Sequence, residues 1–284
     1  MRDMFLGLEC RRKVNADTRG KGKRSKRKII MNYFVEGIQG CGKSTLVRRL
    51  SEKHPGYTAV MEGDYSPIEL AWCARMNEAQ YSEIIEQWSV LQDQICSKSH
   101  KEGNCRIVCY TQVKSDNRVF YQQLENYEIY NGRTAFEEYK NIVLTRYRNW
   151  HGDGNIFECS LFQNAVEDMI LFRDMSDDAI LSFYKEVRSA LSDKEYRIYY
   201  IESSDIGENL NAVRKERVDK DGNEIWFNML MEFFINSPYA KKRSLNQYED
   251  LLMHLRHRQA LELQICRGIF DEKVTVIQSK AYEL

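Results

Sequence analysis

Nine consecutive residues near the start of the chain have the types and spacing to hold a polyphosphate. The run Gly37, Ile38, Gln39, Gly40, Cys41, Gly42, Lys43, Ser44 completes a G-x-x-x-x-G-K-[ST] pattern, and Thr45 follows it. Glycines at this spacing let the backbone wrap with its N–H groups pointing inward, which makes an anion nest. The Lys43 ammonium would reach the β- and γ-phosphates of a nucleotide, and the Ser44 hydroxyl would ligate Mg²⁺. A helix expected from about Lys43 to His54 would aim its positive end at the same phosphates. Cys41 reads as a small filler whose backbone matters more than its sulfur.

Such a loop works only if a strand delivers it and a helix leaves it. Residues 29–35, Ile-Ile-Met-Asn-Tyr-Phe-Val, form a short β-rich run suited to a buried strand. Leu46, Val47 and Leu50 then recur at helical spacing. Further strands are expected at Tyr57–Met61, Arg106–Val113, Asn155–Phe157, Tyr196–Ile201 and Val274–Gln278. Between them, Ile84, Trp88, Leu91 and Ile95 share one helical face. Phe136, Tyr139, Val143 and Tyr147 share a second, and Ile180, Tyr184, Val187 and Leu191 a third. Strands alternating with helices predict a parallel sheet covered on both faces, with ligands outside the carboxyl ends of its strands.

The residues after each strand therefore carry the chemistry. Glu62 and Asp64 follow the second strand, Glu158 follows the Asn155–Phe157 run, and Glu202 and Asp205 follow Tyr196–Ile201. Phosphoryl transfer needs such groups to hold metal and to take a proton from an acceptor hydroxyl. Glu62 and Asp64 are the candidate bases, and Glu158 joins Ser44 as a candidate metal ligand. For Asp64 and Asp205 a role as helix N-cap or N-terminal charge competes with catalysis. Arg214 and Arg217, near the end of the next helix, are candidate electrostatic clamps on the transferring phosphate. The competing role is ordinary charge at a helix C-terminus.

At these residues the chain resembles the nucleoside and nucleoside-monophosphate kinases, specifically the thymidylate kinase and deoxynucleoside kinase branch. The resemblance is carried by the E-G-x-x-G-x-G-K-S-T loop from Glu36 to Thr45, the acidic strand ends at Glu62 and Glu158, and Arg214 and Arg217. It implies an α/β P-loop NTPase fold: a mostly parallel five-stranded sheet with helices on both faces and a helical cap or lid. It also implies ATP and Mg²⁺ as cofactors, an acceptor-side base at Glu62, and a lid bearing the two arginines. Where the family commonly has Arg after the acidic residue, this chain has Cys159. Residues 106–150 read as a cap insertion and about 214–248 as the lid region.

The expected activity is ATP- and Mg²⁺-dependent phosphotransfer to a small-molecule acceptor, a nucleoside or nucleotide among the options. The alternative is a P-loop ATPase or nucleotide-binding regulator with no such acceptor. The guanine-reading N-K-x-D element of GTPases is absent, which leans toward ATP. Tyr121, Tyr127, Tyr130, Tyr139, Tyr147 and Trp150 could stack on a base or sugar, although core packing is the commoner use. His100, His151, His254 and His257 lack metal-ligand spacing, so no zinc is expected. Arg256, His257 and Arg258 read as a solvated helix face.

The 284 residues are 43% hydrophobic, enough for a sizeable core, and with only 3 prolines a collagen-like or low-complexity chain is excluded. No run approaches the length of a membrane-spanning helix. The 8 cysteines form no CxxC pair, which points to reduced thiols and a cytoplasmic protein. Residues 1–30 hold 11 Lys/Arg against 3 Asp/Glu on a neutral chain, leaving an acidic body over 31–284. This basic tail reads as a disordered, solvated arm, or as leader sequence ahead of a natural start at Met31. Nucleic acid is expected as a partner only through this tail, and a homodimer is compatible with the chain.

Overall fold

The computed structural model describes residues 30–279, so the expectations for the basic tail before Ile30 and for the end of the chain lie outside the described residues. The chain opens with β1 (Asn32–Gly37), α1 (Lys43–Lys53) and β2 (Thr58–Val60). A second group follows: β3 (Ala74–Asn77), α2 (Glu78–Gln87), α3 (Gln92–Ser97), β4 (Ser99–Glu102), β5 (Cys105–Val108) and α4 (Arg118–Glu125). The chain then returns through α5 (Phe136–Asn149), β6 (Asn155–Glu158), α6 (Gln163–Leu171), α7 (Asp177–Ala190) and β7 (Tyr196–Glu202). It finishes with α8 (Ile206–Glu216), α9 (Ile225–Asn236), α10 (Pro238–Arg243), α11 (Tyr248–Ile265) and β8 (Val274–Gln278).

Five strands form one sheet in the order β2-β6-β1-β7-β8, with helices on both sides. Every neighbouring pair is parallel. The expected α/β architecture is therefore present. Strand β1 lies at the centre, and Phe34, Val35 and Glu36 have no exposed surface. Its polar first residue, Asn32, is satisfied by donating to the carbonyls of Gly152 and Glu195, each at 3.0 Å. Central strands covered on both faces must be apolar along their length, which is why this sheet could be read from short hydrophobic runs.

The second sheet, β3-β5-β4, is antiparallel. It has its own core around Met76, Ile84, Ile95, Val108, Phe120 and Leu124. The expected strand at 106–113 is only partly present: β5 ends at Val108, and Tyr110–Gln112 is a 3-10 turn. There the Tyr110 hydroxyl donates to buried Glu128 at 2.5 Å. The helical face through Ile84, Trp88, Leu91 and Ile95 is broken by another 3-10 turn at Ser89–Leu91, though Ile84 and Ile95 still reach the same core. This second body thus begins at Ala74, well before residue 106, whereas α5 packs Tyr139, Val143, Leu144 and Tyr147 into the main core.

Polar contacts tie the two bodies together. Tyr65 donates to Glu102 of β4 at 2.7 Å and stacks on His100 with ring centroids 3.8 Å apart. Arg146 of α5 bridges Glu102 and the Ser66 carbonyl. Of the aromatic residues expected either to stack on a ligand or to pack, Tyr130, Tyr139, Tyr147 and Trp150 are buried in the main core. Tyr121 donates to the carbonyls of Val113 and Ser115. Among the described residues no helix is long and apolar enough to cross a membrane.

Candidate active site

The loop between β1 and α1 is held in shape by two close approaches that only glycine allows. Gly37 has φ +139°, and a Cβ there would sit 2.6 Å from the Ile201 carbonyl oxygen of β7. Gly40 has φ +77°, and a Cβ there would meet Val213 of α8 at 2.9 Å. The loop is thus clamped between β7 and α8. Helix α1 buries Leu46, Val47 and Leu50 beneath it, and its first turn carries no acidic residue. The first turn of α1 thus brings no acidic side chain of its own to the positive end of the helix.

Lys43 is almost wholly buried, and its Nζ donates to the loop carbonyls of Gly37 at 2.9 Å and Ile38 at 2.7 Å. Burial works against its charge, while Cys159, Cys41 and Glu62 work for it and prevail, so its pKa is raised. Burial raises the pKa of both thiols. Ser44 Oγ donates to Glu158 Oε1 at 2.5 Å, where Glu158 closes β6. A hydroxyl and a carboxylate in contact at the loop mouth suit a hard cation that keeps its other positions for phosphate oxygens and water. Among the described residues no group of three His, Cys, Asp or Glu side chains is placed to hold a metal.

Glu62 is brought beside this pair. Its backbone N–H approaches Glu158 Oε2 at 3.5 Å, and its Oε1 accepts from Trp72 Nε1 at 2.9 Å and Gln163 Nε2 at 3.2 Å. Neither Trp72 nor Gln163 was marked by the sequence pattern. Trp72 has φ +61°, an outlier for a bulky residue, which turns its indole back toward Glu62. Asp64 is used differently. Its Oδ2 accepts from Met61 N at 3.0 Å and its Oδ1 from Gln112 at 2.8 Å, which closes the turn carrying Glu62.

Arg214 and Arg217 find their partners in the segment that follows α8. Arg214 pairs with Glu224 at 2.7 Å and lies 3.9 Å above the Phe227 ring, while Arg217 lies over Trp226 at 5.1 Å. Both stand at the end of α8, whose Val213 flanks Gly40, so the segment that bears them packs on the loop. Arg258, expected on a solvated face, is instead fully buried. Its guanidinium is paired with Glu167 of α6 and donates to Gln39 of the loop, which is why the charge is tolerated there.

Glu36, the last buried residue before Gly37, caps α6. Its carboxylate accepts from Leu161 N at 2.7 Å, Phe162 N at 3.1 Å and Gln163 N at 3.4 Å. Burial raises its pKa to about 8 against the pull of those amides and of Lys43. Burial likewise raises Glu69 and Glu128 to about 7, although each accepts a tyrosine hydroxyl. These acids bind protons more tightly folded than unfolded. The stabilisation from their neutral forms is complete below about pH 4.5 and is lost as pH rises through about 7–8. The unliganded protein should therefore lose a few kcal/mol of stability between about pH 5 and 8.5. Melting curves across that range check this; a midpoint that climbs with pH would contradict it.

No protein-family profile matches the sequence, and no curated protein matches it. Among solved structures, a chain of the PezAT chromosomal toxin–antitoxin system of Streptococcus pneumoniae is similar at a TM-score of 0.32 and 13% identity. That similarity covers 92% of this chain and 72% of the other.

Proposed function

We propose that the protein is a P-loop phosphotransferase that uses ATP and Mg²⁺ to phosphorylate a small molecule through a hydroxyl group. One observation carries this reading: Lys43, the Ser44–Glu158 pair and the Glu62 carboxylate come together at the mouth of a glycine-clamped loop. In this reading ATP's phosphates enter the amide-lined bowl, and the Lys43 ammonium exchanges the carbonyls of Gly37 and Ile38 for phosphate oxygens. Ser44 and Glu158 would hold Mg²⁺, which supplies charge neutralisation for the β- and γ-phosphates when bound.

The acceptor would enter from the side of Glu62 and Trp72. Glu62 Oε1 is already occupied by two donors, so Oε2 is the oxygen free to take the proton from the acceptor hydroxyl. The acceptor O–P bond forms as the bond to the departing ADP breaks. Arg214 and Arg217 would close over the phosphate if α8 and α9 shift enough to release Glu224 and Phe227. The resemblance to the thymidylate and deoxynucleoside kinase branch agrees with this division of roles. The cysteine pattern accords with a cytoplasmic setting.

Incubating the protein with Mg-ATP and a panel of nucleosides, nucleotides, sugars and polyols tests the reading through acceptor-dependent ADP release. Equal release without any acceptor would favour an ATPase instead. Glu62→Gln should lower acceptor-dependent turnover by about 10²-fold, the usual worth of a general base, while ATP affinity stays within about twofold. Turnover equal to the parent would remove Glu62 from the mechanism.

A further inference from the structure

Behind the phosphate loop lies a buried ionic network with no place in the chemistry above. It is built from α6, α11, β7 and one loop side chain. Arg258 has no exposed surface. Its three nitrogens point three ways: NH1 donates to Glu167 Oε2 at 2.7 Å, NH2 donates to Gln39 Oε1 at 2.8 Å, and Nε lies 3.2 Å from Glu262 Oε1. The last is an ion pair without hydrogen-bond alignment, since neither atom has a hydrogen bond of its own. His254 adds a contact to Glu167 at 3.1 Å, and the Tyr200 hydroxyl donates to Glu262 at 2.7 Å.

Burying this much charge is expensive, and isosteric apolar residues would often serve stability as well or better. The contact that apolar residues could not replace is the one to Gln39. Gln39 sits between Gly37 and Gly40, at the part of the loop with least local preference for one conformation. A guanidinium donating to its side-chain oxygen fixes the amide and, through it, the backbone between the two glycines. Glu167 also stands one turn along α6 from Gln163, the residue that holds Glu62.

We propose that Arg258, oriented by Glu167, is a positioning residue that pre-orders the phosphate loop through Gln39 and thereby raises its affinity for the triphosphate of ATP. The inference rests on the phosphotransferase reading, and its test needs only nucleotide binding. Two variants separate positioning from stability. Gln39→Leu leaves the Arg258–Glu167 pair in place, and the paired change Arg258→Met with Glu167→Leu, made together with Glu262→Gln because Glu262 also pairs with Arg258, removes the buried charges together and leaves none of them stranded.

Calorimetric titration with Mg-ATP should show about tenfold weaker binding for each, with cooperative melting retained. Unchanged affinity in Gln39→Leu would overturn the proposal. So would loss in Gln39→Leu alone with normal affinity in a folded combined variant, since Gln39 would then act without Arg258. If the parent protein itself takes up no Mg-ATP, the phosphotransferase reading fails first, and the positioning proposal falls with it.

Discussion

Lys43→Ala should abolish nucleotide turnover, by about 10²–10³-fold or more, while the protein remains folded. The ammonium reaches back into the loop and holds two of its carbonyls, those of Gly37 and Ile38. Those contacts are the resting partners of a group whose proposed task is to meet developing negative charge on the transferring phosphate. Alanine at this position removes a buried positive charge, which acts more strongly than one in open water. The fold has reason to survive. Lys43 is the first residue of α1, and the helix is anchored by Leu46, Val47 and Leu50 rather than by its lysine. A small rise in stability is even reasonable, because a buried ammonium is no longer desolvated. Turnover of Mg-ATP by the purified variant, beside its far-ultraviolet dichroism, decides the point. Parent-like turnover from a folded variant would take Lys43, and the loop with it, out of the reaction.

The loop could be read directly from the sequence because its geometry forces residue identity. Gly37 and Gly40 have no room for a Cβ, so the pattern records sterics that no other residue satisfies. The central sheet was legible for a related reason, since strands buried on both faces are short apolar runs. The second sheet was legible only in β5, within the expected run 106–113. Strands ARMN and SHKE are four residues each and partly exposed, so neither alternation nor continuous hydrophobicity marks them. Strand-end logic located Glu62 and Glu158 but not the residues that orient them. Gln163 lies on the first turn of a helix and Trp72 in a loop with an uncommon backbone angle, and neither has a local signature. Arg258 shows the limit most plainly. Flanked by Arg256 and His257 it looks like surface charge, and what buries it is Glu167, 91 positions away in sequence. Local pattern gives the chemistry of a residue, but only tertiary structure supplies its counter-ion.

Glu36→Ala should cost about 3 kcal/mol, one of the largest stability losses available from a single substitution at this site. The residue looks at first like a charge out of place, fully buried in the central strand directly before the loop. Its surroundings explain it. Three backbone N–H groups, those of Leu161, Phe162 and Gln163, end on its carboxyl oxygens, and these are the open donors at the start of α6. Alanine would leave them buried without acceptors and would open a cavity beneath the loop. At about 2–4 °C per kcal/mol for a domain of this size, the melting temperature should fall by about 6–12 °C. The damage should also spread in one direction. Helix α6 carries Gln163, which holds Glu62, and Glu167, which holds Arg258 against Gln39. A frayed α6 would loosen the acceptor side and the phosphate side together, so Mg-ATP affinity should fall even where the variant is still folded. A variant that melts like the parent would mean that the α6 amides find other acceptors, and that the buried carboxyl does not organise the two halves of the site.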